Sequence, residues 1–110
     1  MTIPLADFQK VSLRIGTIRE AAPHPNADRL LVLKVEVGGE PPQHLQVVAG
    51  IKAHYAPEAL VGRSVVVVTN LEPATIRGVE SQGMVLAASN DQTLTLVIPD
   101  RPITPGALVK

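Results

Sequence analysis

Val11-Ser12-Leu13-Arg14-Ile15-Gly16-Thr17-Ile18-Arg19-Glu20 alternates apolar and polar side chains up to a glycine and then continues through a β-branched pair. A period of two marks a strand with one face on a core, and a glycine inside such a strand marks a bend or a close approach of another backbone. One long strand coiled at Gly16 suits a small barrel. The pattern repeats downstream. Leu31, Leu33, Val35 and Val37 form one face of a second strand, opposed by Leu30, Val32, Lys34 and Glu36, with Gly38 and Gly39 turning the chain afterwards. Residues 45–49 read as a third strand. Residues 64–71 read as a fourth, whose four consecutive valines favour a pleated, buried setting. Residues 81–88 and 93–98 flank Asn90-Asp91-Gln92, which reads as a hairpin connection. The one helix signal is short, with Pro57 early, Glu58 in the first turn, Leu60 and Val61 apolar and Gly62 as a stop. These elements predict an all-β chain with an OB-fold, a five-stranded Greek-key barrel with one short helix between the third and fourth strands. A simple β-sandwich is the alternative.

Length and composition bound the rest. With 110 residues and 45% hydrophobic content, the expectation is a single domain over residues 1–110. Ten basic residues balance ten acidic ones, so any site for a polyanion has to come from local segregation of charge. The absence of cysteine removes disulfides, thiolate catalysis and cysteine-based metal sites, and is compatible with a reducing compartment. Neither a signal-peptide pattern nor an apolar run of membrane-spanning length is present, which points to a soluble, cytoplasmic protein without membrane contact. The ten prolines are scattered through turns rather than gathered in a linker. Residues 101–110 set Ile103, Ala107, Leu108 and Val109 among Pro102, Pro105 and Gly106, a tail expected to cover a barrel edge or to meet a second subunit.

The leading candidate for a binding site is the polar connection Asn70-Leu71-Glu72-Pro73-Ala74-Thr75-Ile76-Arg77-Gly78-Val79-Glu80-Ser81-Gln82-Gly83-Met84. It carries charge, amide, hydroxyl and thioether groups between two apolar stretches, far more chemistry than a turn requires, and loops held by a rigid scaffold commonly carry function.

Several ordered blocks carry a resemblance to a known family. Asp7-Phe8, Lys10-Val11, Leu13-Arg14-Ile15-Gly16 and His24-Pro25-Asn26-Ala27-Asp28-Arg29-Leu30 resemble the opening of the tRNA-binding domain family. Val48-Ala49-Gly50-Ile51, residues 55–62, Asn70-Leu71-Glu72-Pro73 and residues 77–84 are similar to its later blocks, in order and spacing. The family includes free-standing tRNA-binding proteins, the C-terminal domain of many bacterial methionyl-tRNA synthetases, part of the phenylalanyl-tRNA synthetase β subunit and eukaryotic synthetase cofactors. The resemblance implies an OB-fold module that binds tRNA by shape, homodimerisation, and an aminoacyl-tRNA synthetase as a further candidate partner. A branch of secretion chaperones shares the barrel but differs over residues 77–84, so that block favours the tRNA branch. One departure is Glu72 before Pro73, where many relatives carry lysine. Met1 and the full set of blocks favour an independent polypeptide.

RNA contact needs cations for phosphates, hydrogen-bonding groups for ribose hydroxyls and base edges, and flat or soft apolar groups against exposed bases. Arg77 can fork onto a phosphate, Ser81 and Gln82 can meet a 2′-hydroxyl, and Met84 can lie on a base face. The plain alternative makes Arg77 a solvated charge, Ser81 and Gln82 turn residues and Met84 core. Arg29, Lys34 and Lys52 are further candidates that could track a phosphate backbone, although Lys34 could equally pair with Glu36 or Glu20. Asn70, at the end of the valine strand, is a hydrogen-bonding candidate at the site entrance or a turn-forming asparagine.

Phe8 and Tyr55 are the only aromatics, read as core or barrel-capping residues. Single-strand binders built on OB barrels rely on aromatic platforms, so the deficit argues for structured RNA. His24, His44 and His54 lie in separate loops without metal-ligand spacing and read as turn or surface residues, so neither metal nor cofactor is expected. No nucleophile elbow or phosphate-cradling glycine loop is present, and Glu80 beside Ser81 does not by itself make a catalytic pair. The expected function is non-catalytic binding of structured tRNA. The alternatives are a chaperone-like protein binding unfolded polypeptide and an assembly domain of synthetase complexes.

Overall fold

The alternation around Gly16 becomes an eleven-residue strand that serves two neighbours in turn. The computed structural model describes residues 1–110. In chain order it contains α1 (Leu5–Phe8), β1 (Leu13–Pro23), β2 (Leu31–Glu36), β3 (His44–Ala49), α2 (Pro57–Leu60), β4 (Ser64–Val68), β5 (Ala74–Ile76), β6 (Val79–Ser81), β7 (Met84–Val85), β8 (Ala87–Ser89), β9 (Leu94–Leu96) and β10 (Leu108–Val109). Residues 13–17 of β1 pair with β4, and residues 17–23 pair with β2. Gly16 makes this sharing feasible. A Cβ there would stand 2.5 Å from Val35 Cγ1 and 2.9 Å from Val67 Cγ2, so any side chain would push the barrel walls apart. The break in register comes slightly later, between Ile18 and Glu20, where Arg19 is the extra residue of a β-bulge that adds to the coiling.

The main sheet runs β3-β2-β1-β4-β7, entirely antiparallel, with β10 added beside β1. The seam between its ends is sealed by residues 81–82 against β3. Gln82 N–H donates to the Gln46 carbonyl at 2.7 Å, and Gln46 N–H donates to Gln82 Oε1 at 2.8 Å. Val48 N–H donates to Ser81 Oγ at 3.0 Å. The result is the expected OB-type barrel, with α2 between β3 and β4 and Leu60 fully buried beneath it. Pro57 opens α2, and Gly62 follows at φ +90.

Eight side chains are fully buried in the barrel core: Ile18, Leu31, Leu33, Val35, Val47, Leu60, Val65 and Val67. The run of valines in β4 has a physical reason on both faces. Val65 and Val67 point into this core, while Val66 and Val68 join Leu13 and Ile15 in a second cluster covered by Leu86, Ala107 and Val109. A strand buried on both faces reads as continuously apolar rather than alternating. The C-terminal tail does cover an edge, since Val109 and Leu108 pair with Leu13 and Arg14.

Three sequence expectations need correction. The fourth strand ends at Val68, because Thr69 and Asn70 turn away to bond residues 10–12. The stretch 81–88 is divided among β6, β7 and β8, the last pairing with β9 across the anticipated turn, where Asn90 Oδ1 accepts the amide protons of Gln92 and Thr93. Phe8 is 43% exposed rather than core, since α1 lies outside the barrel. Tyr55 does cap the barrel: its hydroxyl accepts the Leu96 amide proton at 3.0 Å, and this bond foremost holds the phenol below its ordinary pKa.

Candidate nucleic-acid interface

The connection 70–84 is not an open loop. β5 and β6 form a hairpin in which Ile76 pairs with Val79, leaving Arg77 and Gly78 as the two-residue turn. Both have positive φ, 52 and 89, as the mirror-image turns favoured in two-residue hairpins require. Glycine adopts that conformation freely, whereas arginine there carries a penalty of about 1 kcal/mol. Other contacts compensate. Arg77 Nη2 donates to the Asn26 carbonyl at 3.0 Å, and Asn26 Nδ2 donates to the Arg77 carbonyl at 3.5 Å. A guanidinium has five N–H donors, so most of Arg77 is still available to a ligand after this bond.

The partner of the hairpin tip is the β1–β2 connection. Its residues Asn26, Ala27, Asp28, Arg29 and Leu30, together with Arg77, line a cleft of about 390 Å³. The loop supplies Asp28 and Arg29, and the hairpin supplies Arg77. Lys52 is attached to the same region, its N–H directed at the Arg29 carbonyl at 3.4 Å. The surface ion pairs are Lys10–Asp7, Arg19–Glu36, Lys34–Glu20 and Arg101–Asp100, so Arg29, Lys52 and Arg77 remain outside them. Arg29 and Arg77, neither in an ion pair, outnumber the one carboxylate of the cleft, Asp28, and this local excess of positive charge is what a neutral chain needs to attract a polyanion.

A second hollow, about 240 Å³, lies at the base of the hairpin between Val48, Leu71, Glu72, Ala74, Ile76, Ser81, Gly83 and Met84. Met84 is 48% exposed, which removes the core alternative for it, and Leu71 stands similarly open. Ser81 is buried, and its hydroxyl both accepts from Val48 N–H and donates to the Gly83 carbonyl at 3.0 Å. Gln82 spends its Oε1 on the barrel seam. Asn70 Oδ1 accepts the Ser12 amide proton at 2.8 Å and its Nδ2 donates to the Lys10 carbonyl at 2.7 Å, clamping the entry of β1 to the exit of β4. Lys34 projects from the outer face of β2, opposite Gln46 on β3, with Glu20 rather than Glu36 as its distant partner at 3.9 Å.

The structure therefore brings Arg29 and Arg77 into one cleft with Lys52 adjoining, places Ser81 and Met84 at a neighbouring hollow, and leaves Lys34 on the β2–β3 face. The sequence reading gives no site role to His24, Asn26 or Asp28, although all three lie in a family-like block. His24 is buried rather than a surface residue, with Nε2 2.9 Å from the Ile76 carbonyl. The available signal was Ile76-Arg77-Gly78-Val79, a glycine-bearing pair between β-branched residues, which announces a hairpin whose tip needs something to rest on.

Comparison with known proteins gives consistent findings. The family model described as "Putative tRNA binding domain" matches residues 13–108. The methionine--tRNA ligase of Pyrococcus furiosus is 49% identical over 108 residues, 98% of this chain but 14% of that protein, so the chain spans a small part of such relatives. The crystal structure of a MetRS related protein from Pyrococcus horikoshii matches with a TM-score of 0.91 and 28% identity, covering 100% of this chain and 99% of that one. The crystal structure of chaperone CsaA from Bacillus anthracis matches with a TM-score of 0.89 and 27% identity, covering 100% of each.

Proposed function

This chain belongs to the tRNA binding domain family, and from that premise we propose that it binds folded tRNA without catalysing a reaction. The observation that supports this best is the cleft between the β1–β2 connection and the β5–β6 hairpin. OB barrels take oligonucleotides on the face of their second and third strands and on the loops between strands one and two and between the last two strands. The hairpin occupies the latter position here, between β4 and β7. Arg29, Arg77 and Lys52 meet phosphates, Lys34 extends the track along the β2–β3 face, and Met84 lies against a base. Ser81 and Asn70 serve through the backbone they hold, because their side-chain polar atoms are engaged within the protein, and Gln82 does so through its Oε1. A tRNA ligand implies work in the cytoplasm and gives the chain a natural place beside an aminoacyl-tRNA synthetase.

We also read the protein as a homodimer. Ile3, Leu5 and Phe8 stand exposed just before β1, and Ile103 and Leu108 stand exposed in the tail that pairs with the start of β1. A second copy would cover this apolar end and duplicate the cleft, adding affinity through simultaneous contact.

A titration with labelled tRNA, competed by single-stranded DNA and by duplex DNA of equal length, tests the main reading. The expected result is selective binding of tRNA, with several tRNA species bound alike. Equal displacement by single-stranded DNA contradicts it. The second reading, a chaperone for unfolded polypeptide, is favoured by the apolar hollow at Leu71 and Met84 and by the likeness to chaperone CsaA, and selective capture of a denatured polypeptide would establish it.

A further inference from the structure

His24 is 5% exposed, and each of its nitrogens is committed. Nδ1 lies 2.9 Å from the Asn26 amide, which can only donate, and Nε2 lies 2.9 Å from the Ile76 carbonyl, which can only accept. The ring is therefore the neutral tautomer with its hydrogen on Nε2. The backbone N–H of the same residue donates to the Leu30 carbonyl at 3.0 Å, closing the base of the β1–β2 connection. Pro25 confines His24 to an extended conformation, which fixes the direction in which the ring leaves the chain. One side chain thus ties the loop that carries Arg29 to the strand residue just before the turn that carries Arg77.

We propose that His24 is a positioning residue of the cleft, and that its Nε2–H bond to the Ile76 carbonyl, beside the two Asn26–Arg77 bonds at the tip, holds the Arg77 turn at a fixed separation from Arg29. Two guanidiniums at a fixed separation select phosphates of matching spacing, whereas two on independently moving loops act only as diffuse charge. The inference rests on the reading that this cleft takes tRNA. It assigns to a buried residue with no ligand contact of its own the task of making the cleft one site.

Two substitutions separate the two bonds. In His24→Gln the terminal amide nitrogen reaches the place of Nε2 and can still donate to Ile76. In His24→Asn the side-chain oxygen takes the place of Nδ1 and can still accept from Asn26, but nothing reaches Ile76. Both are measured with tRNA over a salt series, beside Arg77→Ala and the double variant His24→Asn/Arg77→Ala. His24→Asn is expected to lose about tenfold in affinity and about one phosphate contact in salt slope, while His24→Gln stays within about threefold with its slope intact. The double variant should bind like Arg77→Ala alone, because His24 acts through Arg77. Parent-like binding by His24→Asn, equal losses in both His24 variants, or losses that add in full in the double variant would overturn the proposal.

A measurement on the unliganded parent protein keeps the test independent of RNA and of variant folding. The long-range nitrogen–proton spectrum of the His24 ring should show the hydrogen on Nε2, and a hydrogen on Nδ1 overturns the proposal. If the parent protein fails to bind tRNA while that spectrum is as expected, the functional reading falls and the tie between loop and hairpin stands.

Discussion

Ser81 and Val48 meet across the barrel seam: the Ser81 hydroxyl accepts the Val48 amide proton at 3.0 Å and passes its own to the Gly83 carbonyl at the same distance. Both residues sit where β3 would otherwise present unpaired backbone to the end of the sheet. Ser81 is also 6% exposed, so solvent does not compete for these bonds.

Replacing Ser81 by alanine leaves a half-buried amide and a carbonyl without partners. The expected loss is about 1–3 kcal/mol of stability, since an unsatisfied buried group costs more than the bond itself contributes. For a chain of this size each kcal/mol lowers the melting temperature by about 4–8 °C. Binding of tRNA well below the melting temperature should be unchanged. A variant that melts like the parent but binds weakly would show that the hydroxyl meets RNA instead.

Met84 should behave in the opposite way. As a half-exposed side chain at the rim of the apolar hollow, its truncation to alanine should change stability by no more than about 0.5 kcal/mol. A thioether against a base is worth about 0.3–1.5 kcal/mol, so affinity should fall roughly two- to tenfold with the salt slope unchanged. A melting loss of about 2–5 kcal/mol would return Met84 to the core.

Arg77 combines a charge with an unfavourable backbone conformation, and two substitutions separate them. Arg77→Ala removes the charge and keeps the strain at φ 52. Arg77→Asn removes the charge and places at the turn a residue that tolerates positive φ. Both should weaken every tRNA alike and lower the salt slope by about one contact, but the asparagine variant should be the more stable of the two in thermal melts. Equal binding to the parent in both would place the phosphate contact elsewhere, with the Lys34 face next in line.

These contrasts show which features were legible in the sequence. β1 and β2 were readable because their alternation is local, and the place of Gly16 followed from the bend that a small barrel needs. The four valines announced burial, although the cover over Val66 and Val68 comes from Leu86, Ala107 and Val109, far along the chain. The β5–β6 hairpin leaves only a faint local mark, the Arg77-Gly78 pair, because its strands are three residues each and half exposed, and because Arg77 holds a conformation rare outside glycine. His24 was misread for a related reason: its burial depends on a hairpin 52 residues away. Residue chemistry alone singles out both Arg29 and Arg77 as candidates, yet the cleft that they line together exists only in three dimensions.

The dimer can be tested without RNA. Sedimentation equilibrium at tens of micromolar, roughly where a weak dimer begins to show, should give twice the chain mass. Removing residues 103–110 deletes the β10 pairing with β1 and the exposed Ile103 and Leu108, and should shift the equilibrium toward monomer. A parent chain that sediments as a monomer contradicts the dimer reading.

The central claim is that tRNA enters between the β1–β2 connection and the β5–β6 hairpin. Backbone amide spectra of the isotope-labelled chain, recorded as unlabelled tRNA is added, test it most directly. The account predicts that the resonances of Asn26 to Leu30 and Ile76 to Gly78 shift or broaden first, with Lys34, Lys52 and Met84 following. Perturbations concentrated on the β8–β9 hairpin, or none at tRNA concentrations that saturate binding, would contradict it.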